Sequence, residues 1–154
     1  MPAAVAATSS PSTGSALHPV ALKLGYAGLV PFVVGALLSL VVRDDAHPFV
    51  MMSLAAYAAV ILSFLGGIHW GLAMRAATPE PGPYVWAVVP SLVASVAVLM
   101  PAYAGLVIDG IMLVACYLVD RKIYPRHGLS RWLTLRFRLT AVAALACFLG
   151  AASA

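Results

Sequence analysis

FVMMSLAAYAAVILSFLGGIHWGLAM, residues 49–74, runs for 26 positions without an Asp, Glu, Lys or Arg. As an α-helix rising 1.5 Å per residue it would be about 39 Å long, more than the roughly 30 Å of hydrocarbon that a membrane span must cross. A core helix of a water-soluble domain keeps a polar face for water, and this stretch has none of useful width. It predicts a transmembrane helix, and the rest of the chain is read with lipid as its solvent.

Working outward, four more apolar segments qualify as spans, at about 22–42, 84–100, 103–119 and 139–154. The connections at 43–48, 75–83 and 101–102 are short, so consecutive helices must be antiparallel neighbours. Pro48, Pro79, Pro81, Pro83 and Pro101 punctuate them, because proline cannot continue a helix and restricts the residue before it. Of the 154 residues, 63% are hydrophobic and 9% charged, against about 25% charged in a soluble domain. The expected fold is all-α, one integral membrane domain over 21–154 with five transmembrane helices and a basic connection at 120–138. Residues 1–20, rich in Ala, Ser, Thr and Pro and without Lys or Arg, read as a disordered tail and not as a secretory signal peptide.

The basic residues orient this bundle. Lys23, Arg75, Arg121, Lys122, Arg126, Arg131, Arg136 and Arg138 fall on one side and Arg43 alone on the other, which predicts a cytoplasmic amino terminus, an outer carboxyl terminus and a place in the cell inner membrane. Bunched beside spans, these charges are orientation signals, and a nucleic-acid partner is not expected despite the net charge of +4. The run RWLTLRFR at 131–138 fits either an interfacial amphipathic helix or an inward extension of the fifth span. Cys116 and Cys147 lie in apolar spans at different depths, so they read as free, inert thiols.

Four stretches then stand out together: LGYAGLVPF at 24–32, AVILSFLGGIHWGLA at 59–73, WAVVPSL at 86–92 and LRFRLT at 135–140. The chain resembles, over nearly all of its length after residue 20, the family of small membrane proteins of unknown function that includes transmembrane protein 69 and its bacterial homologues. The glycine-histidine-tryptophan stretch is the most specific element. The resemblance implies a multi-pass protein of bacterial inner membranes or mitochondria, and it brings no reaction with it.

Within the spans, a few residues are candidates for more than filling. Ala55, Ala59, Ser63, Gly67 and Gly71 recur every four positions, a stripe that lets another helix approach closely. The stripe predicts the tightest helix contact of the fold, with an opening for a lipid tail or partner helix as the functional alternative. His69 lies about 200° around the helix from Gly67, on the face of Leu62, Gly66 and Ala73. At its depth it needs a hydrogen-bond partner, and Pro90 and Pro31 free the carbonyls of Trp86 and Ala27 nearby. The bland reading is a histidine donating to such a carbonyl; the sharper one is a ligand or proton site with Trp70, Tyr26 and Trp86 around it. No second histidine shares that depth and no Cys/His/carboxylate cluster is visible, so no haem, metal or other cofactor is expected.

Asp109, in mid-span, must be protonated or paired, with Ser63, Tyr57, Ser91 or Ser95 as expected neighbours. A satisfied carboxyl is the modest reading and a proton relay the sharper one. Arg75, Asp120, Arg136, Arg138 and Trp132 converge on the inner mouth of the bundle as a candidate anionic-lipid site, and Asp120 is expected to pair with an arginine of the fifth helix. Nucleophile-base pairs, carboxylate dyads and phosphate-binding glycine loops are lacking at plausible depth, so an enzyme is not expected. Two functions remain: an accessory or assembly protein packing against a larger membrane complex or a second copy of itself, and a small carrier or ligand- or lipid-binding bundle using an inner-leaflet pocket around His69. Membrane lipids are the expected partners of both.

Overall fold

The structure is a computed structural model that describes residues 17–78 and 80–154. Most of the tail expected over 1–20, and the turn proline Pro79, lie outside the described residues. Six α-helices make five membrane-length rods: α1 (Pro19–Ala27) and α2 (Val30–Val41) form the first, followed by α3 (His47–Met74), α4 (Pro81–Leu99), α5 (Ala102–Ile123) and α6 (Leu133–Ala152). The rods run from 19 to 28 residues, each long and apolar enough to cross a bilayer. Prolines stand in the first turn of α1, α2, α3 and α4, where the missing N–H costs nothing because it would have no partner in the helix.

The first rod departs from the expected single helix. Pro31 in the opening turn of α2 cannot donate to the turn before it, and the chain breaks at Gly28 and Leu29. Tyr57 of α3 donates its hydroxyl to the Gly28 carbonyl oxygen at 2.9 Å, and its ring meets Phe32 edge-on at 5.1 Å. A carbonyl at the break is thus satisfied by a neighbouring helix, as hydrocarbon surroundings require.

α3 is the central post and touches α2, α4, α5 and α6. Its buried face carries Leu54, Ala58, Leu62, Leu65, Gly66, His69 and Ala73. Cys116 and Cys147 are free and buried in the same core. α3 comes close to α4 at Gly66, where an added methyl would run into the Ala87 carbonyl oxygen, and Gly105 of α5 is pressed similarly against Ala97.

This corrects the expected packing stripe. Ala55 and Ala59 are buried, but Ser63, Gly67 and Gly71 are exposed, and a methyl built on Gly67 or Gly71 would meet nothing within 4 Å. Small residues permit close approach without dictating which face is used. One position away, Gly66 lies beside Leu62 and His69, and that face is turned inward.

The 120–138 connection is also shorter than expected. α5 continues to Ile123, two single 3-10 turns at Tyr124–His127 and Ser130–Trp132 follow, and α6 begins at Leu133. RWLTLRFR is therefore mostly the start of the last helix, the extension reading. The turns reverse at Gly128, whose φ of 69° suits a residue without a Cβ.

Candidate functional site

Extending α5 by one turn changes what Asp120 is. The buried face of α5 steps through Asp109, Leu113, Cys116 and Asp120, so the carboxylate closes a stripe at helical spacing and points into the bundle. There its Oδ1 lies 2.8 Å from His69 Nε2, and its Oδ2 accepts a 2.7 Å hydrogen bond from Arg136 Nε. Arg136 Nη2 is also 2.7 Å from Oδ2, close enough for ion pairing but with neither hydrogen aligned on an acceptor. Asp120 is 2% exposed, His69 3% and Arg136 8%. Three helices, α3, α5 and α6, are joined through one carboxylate.

The expected pairing of Asp120 with the last helix is present. The partner expected for His69 is not: its ring bonds Asp120 and neither of the carbonyls freed by proline. Trp86 and Tyr124 flank the imidazole, with ring centroids 6.5 and 6.3 Å away.

The other candidates separate. Trp70 is exposed on the stripe side of α3 and meets Tyr84 edge-on at 5.3 Å, away from His69. Arg138 is exposed and reaches the hydroxyl of Tyr26 at 3.3 Å, tying α6 to α1 outside the buried cluster. Arg75 is exposed beyond the end of α3. The expected anionic-lipid set is thus split: Arg136 and Asp120 are inside, Arg75 and Arg138 outside, and Trp132 stands between them on a cavity wall.

Asp109 is fully buried, yet neither carboxyl oxygen meets a hydrogen-bond partner among the described residues. Of the four neighbours expected for it, Ser63, Ser95 and Tyr57 bond elsewhere, to the backbone carbonyls of Ala59, Ser91 and Gly28. A Ser or Thr hydroxyl in lipid is satisfied most readily by the carbonyl one turn back in its own helix, so it is not free to serve a neighbour.

Beside the cluster lies a half-open cavity of about 560 Å³, within the range that small-molecule sites occupy. Gly25, Gly28 and Phe32 from the broken first rod, Ile61, Phe64 and Ile68 from α3, Leu113 from α5, and Leu135, Leu139 and Ala143 from α6 line it. Almost all of its wall is hydrocarbon. Arg136 and Thr140, one turn apart on α6, bring polar atoms to it together with Tyr124 and Trp132, and among the described residues Arg136 Nη2 and Thr140 Oγ1 are buried without a hydrogen-bond partner. An inner-leaflet pocket was expected around His69, which does not line this cavity; its place beside the broken first rod, Thr140 and the wall role of Tyr124 were not anticipated from the sequence. The signals that could have found them are the proline break of the first rod and the spacing of Thr140 four residues after Arg136.

Among the described residues, no three His, Cys, Asp or Glu side chains gather as metal ligands would.

The family described as "Protein of unknown function (DUF3429)" matches residues 17–152. Transmembrane protein 69 of Xenopus tropicalis is 38% identical over 130 residues, covering 80% of this chain and 50% of the frog protein. Transmembrane protein 69 of Mus musculus is 37% identical over 65 residues, covering 42% of this chain and 26% of the mouse protein. The chain thus spans no more than about half the length of these curated relatives. No solved structure matches. Five apolar rods and a match over almost the whole described length agree: the chain is a multi-pass membrane protein and belongs to the DUF3429 family, related to Transmembrane protein 69.

Proposed function

We propose that this bundle binds one lipophilic molecule in the cavity between its broken first rod, α3 and α6, and acts as a membrane carrier or lipid-binding subunit without catalysing a reaction. The supporting observation is the pairing of an apolar pocket of about 560 Å³ with buried polar atoms at its wall: Thr140 Oγ1, without a partner among the described residues, and Arg136 Nη2, ion-paired to Asp120 at 2.7 Å but without an aligned hydrogen bond. Buried polar atoms are nearly always partnered in proteins, and a bound group is one way to partner these. The His69–Asp120–Arg136 cluster then serves as the anchor that holds α3, α5 and α6 around the pocket.

The test is native mass spectrometry of the protein extracted in mild detergent, comparing the wild type with Ile68→Trp, which puts a large ring into the cavity. A lipophilic adduct on the wild type and its loss in I68W, at an unchanged unfolding midpoint, supports the reading. A bare wild type, or an adduct equally present on I68W, overturns it.

The second reading is the accessory or assembly subunit, and one observation favours it: Ser63, Gly67 and Gly71 leave an open, small-residue face on α3 that a helix of a larger complex or of a second copy would fit. Reproducible co-purification of one partner, abolished by Gly67→Leu, supports it. For orientation, the count of eight Lys or Arg against one supports a cytoplasmic basic end in the inner membrane; reporter fusions at residue 128 and after residue 154 should report opposite sides.

A further inference from the structure

We infer that the cavity's occupant has an uncharged hydrogen-bond acceptor at its polar end, a quinone or ester carbonyl, and is not a carboxylate or phosphate. The inference rests on the reading of the cavity as a ligand site and adds the class of ligand.

It follows from the charge already in place. Asp120 lies 2.7 Å from Arg136 and 2.8 Å from His69, all three buried. Within the Asp120–Arg136 ion pair the carboxylate and the guanidinium cancel. An anionic head placed on Arg136 would set two negative charges against one positive charge where water cannot screen them, and such an uncompensated charge is costly in a low-dielectric interior. Thr140, Tyr124 and Trp132 bring the other polar side-chain atoms to a largely hydrocarbon wall, and among the described residues no second cation lines the cavity.

The donors present suit a carbonyl. Among the described residues Thr140 Oγ1 has no hydrogen-bond partner, and Arg136 Nη2, ion-paired to Asp120 at 2.7 Å, has no aligned hydrogen bond. The two lie four residues apart on α6 and so share a face, one turn from each other. A carbonyl oxygen lying between those turns accepts from the Thr140 hydroxyl, alone or together with Arg136 Nη2, gives no charge to the cluster, and leaves its chain or ring among Leu139, Phe64 and Phe32. An aliphatic molecule without a polar end would leave both donors as they are.

The experiment uses the full chain in mild detergent at pH 7.5 and measures equilibrium binding of three probes: decylubiquinone, monoolein and oleate. The first two carry a quinone or ester carbonyl, and the third carries a carboxylate on the same tail as monoolein. The expected result is that at least one neutral probe binds and that oleate is weaker than it by about tenfold or more. Decylubiquinone alone assigns a quinone, and monoolein alone assigns an ester lipid. Thr140→Val, of nearly the same shape, should weaken the neutral probe about three- to tenfold, as loss of one hydrogen bond does, at an unchanged unfolding midpoint because the hydroxyl bonds nothing among the described residues. Oleate binding as tightly as the neutral probes overturns the ligand class while leaving the cavity reading intact. Neutral binding unaffected by T140V overturns the placement of the head. Binding of none of the three overturns the cavity reading itself.

Discussion

Two carboxylates sit on the same inward face of α5, eleven residues apart, and both are removed from solvent: Asp109 is 0% exposed and Asp120 2%. At the basic end of the bundle, Asp120 is held by His69 from α3 and Arg136 from α6. In the middle, Asp109 has no partner among the described residues. Burial is the same and the wiring is opposite, so burial alone says nothing about what a polar group contributes. Asp120 organises three helices, whereas Asp109 is a group the fold tolerates.

The sharpest way to break that contrast is to remove Asp120. Asp120→Ala leaves the Arg136 guanidinium buried with no counter-charge and takes the hydrogen-bond partner from His69. Breaking a buried pair from one side typically costs about 3–5 kcal/mol, so a large drop in the detergent unfolding midpoint, or failure to accumulate in the membrane, is expected. Asp120→Leu combined with Arg136→Met removes both charges and should recover most of that loss, because an apolar replacement of an entire buried pair is often close to neutral. If D120A unfolds like the wild type, the cluster is decoration and the comparison fails.

How much of this was legible in the sequence depends on the scale. Five apolar rods, their short turns and the pairing of Asp120 with the last helix followed from run length, proline positions and charge placement. The pairing of His69 did not, because ending the fourth span at Val119 put Asp120 in a loop; counted onward from Leu113 and Cys116, it falls on the buried stripe of α5. The small-residue stripe misled for another reason. In lipid, apolar faces are almost equivalent, so sequence spacing marks a face that could pack without saying which face does. Gly66 and Gly67 turn that into a measurement. Gly66→Ala drives a methyl into the Ala87 backbone, and forcing α3 from α4 should cost about 1–3 kcal/mol, the usual penalty for overpacking. It should also move His69, three residues along the same face, away from Asp120. Gly67→Ala meets open space and should be neutral or gain up to about 1 kcal/mol from better helix propensity. Equal losses in the two variants would mean that α3 is rotated from the orientation that brings His69 to Asp120.

Asp109 supplies a small expected effect with the most discriminating sign. Leucine has the same branching as aspartate, with two methyls where the carboxyl has oxygens, so Asp109→Leu keeps the shape while deleting both unpartnered acceptors. Replacing buried, unsatisfied polar atoms by apolar ones of similar shape is nearly neutral or stabilising, and a change between zero and a gain of about 1–2 kcal/mol is expected in the same unfolding assay. Asp109→Asn controls for the added bulk of the methyls, since it retains a planar polar group of the same size. If D109L loses as much stability as D120A while D109N does not, Asp109 depends on a hydrogen-bonding group brought from outside the chain, such as a bound water or ion. The middle of α5 would then be a second polar site and not a tolerated one.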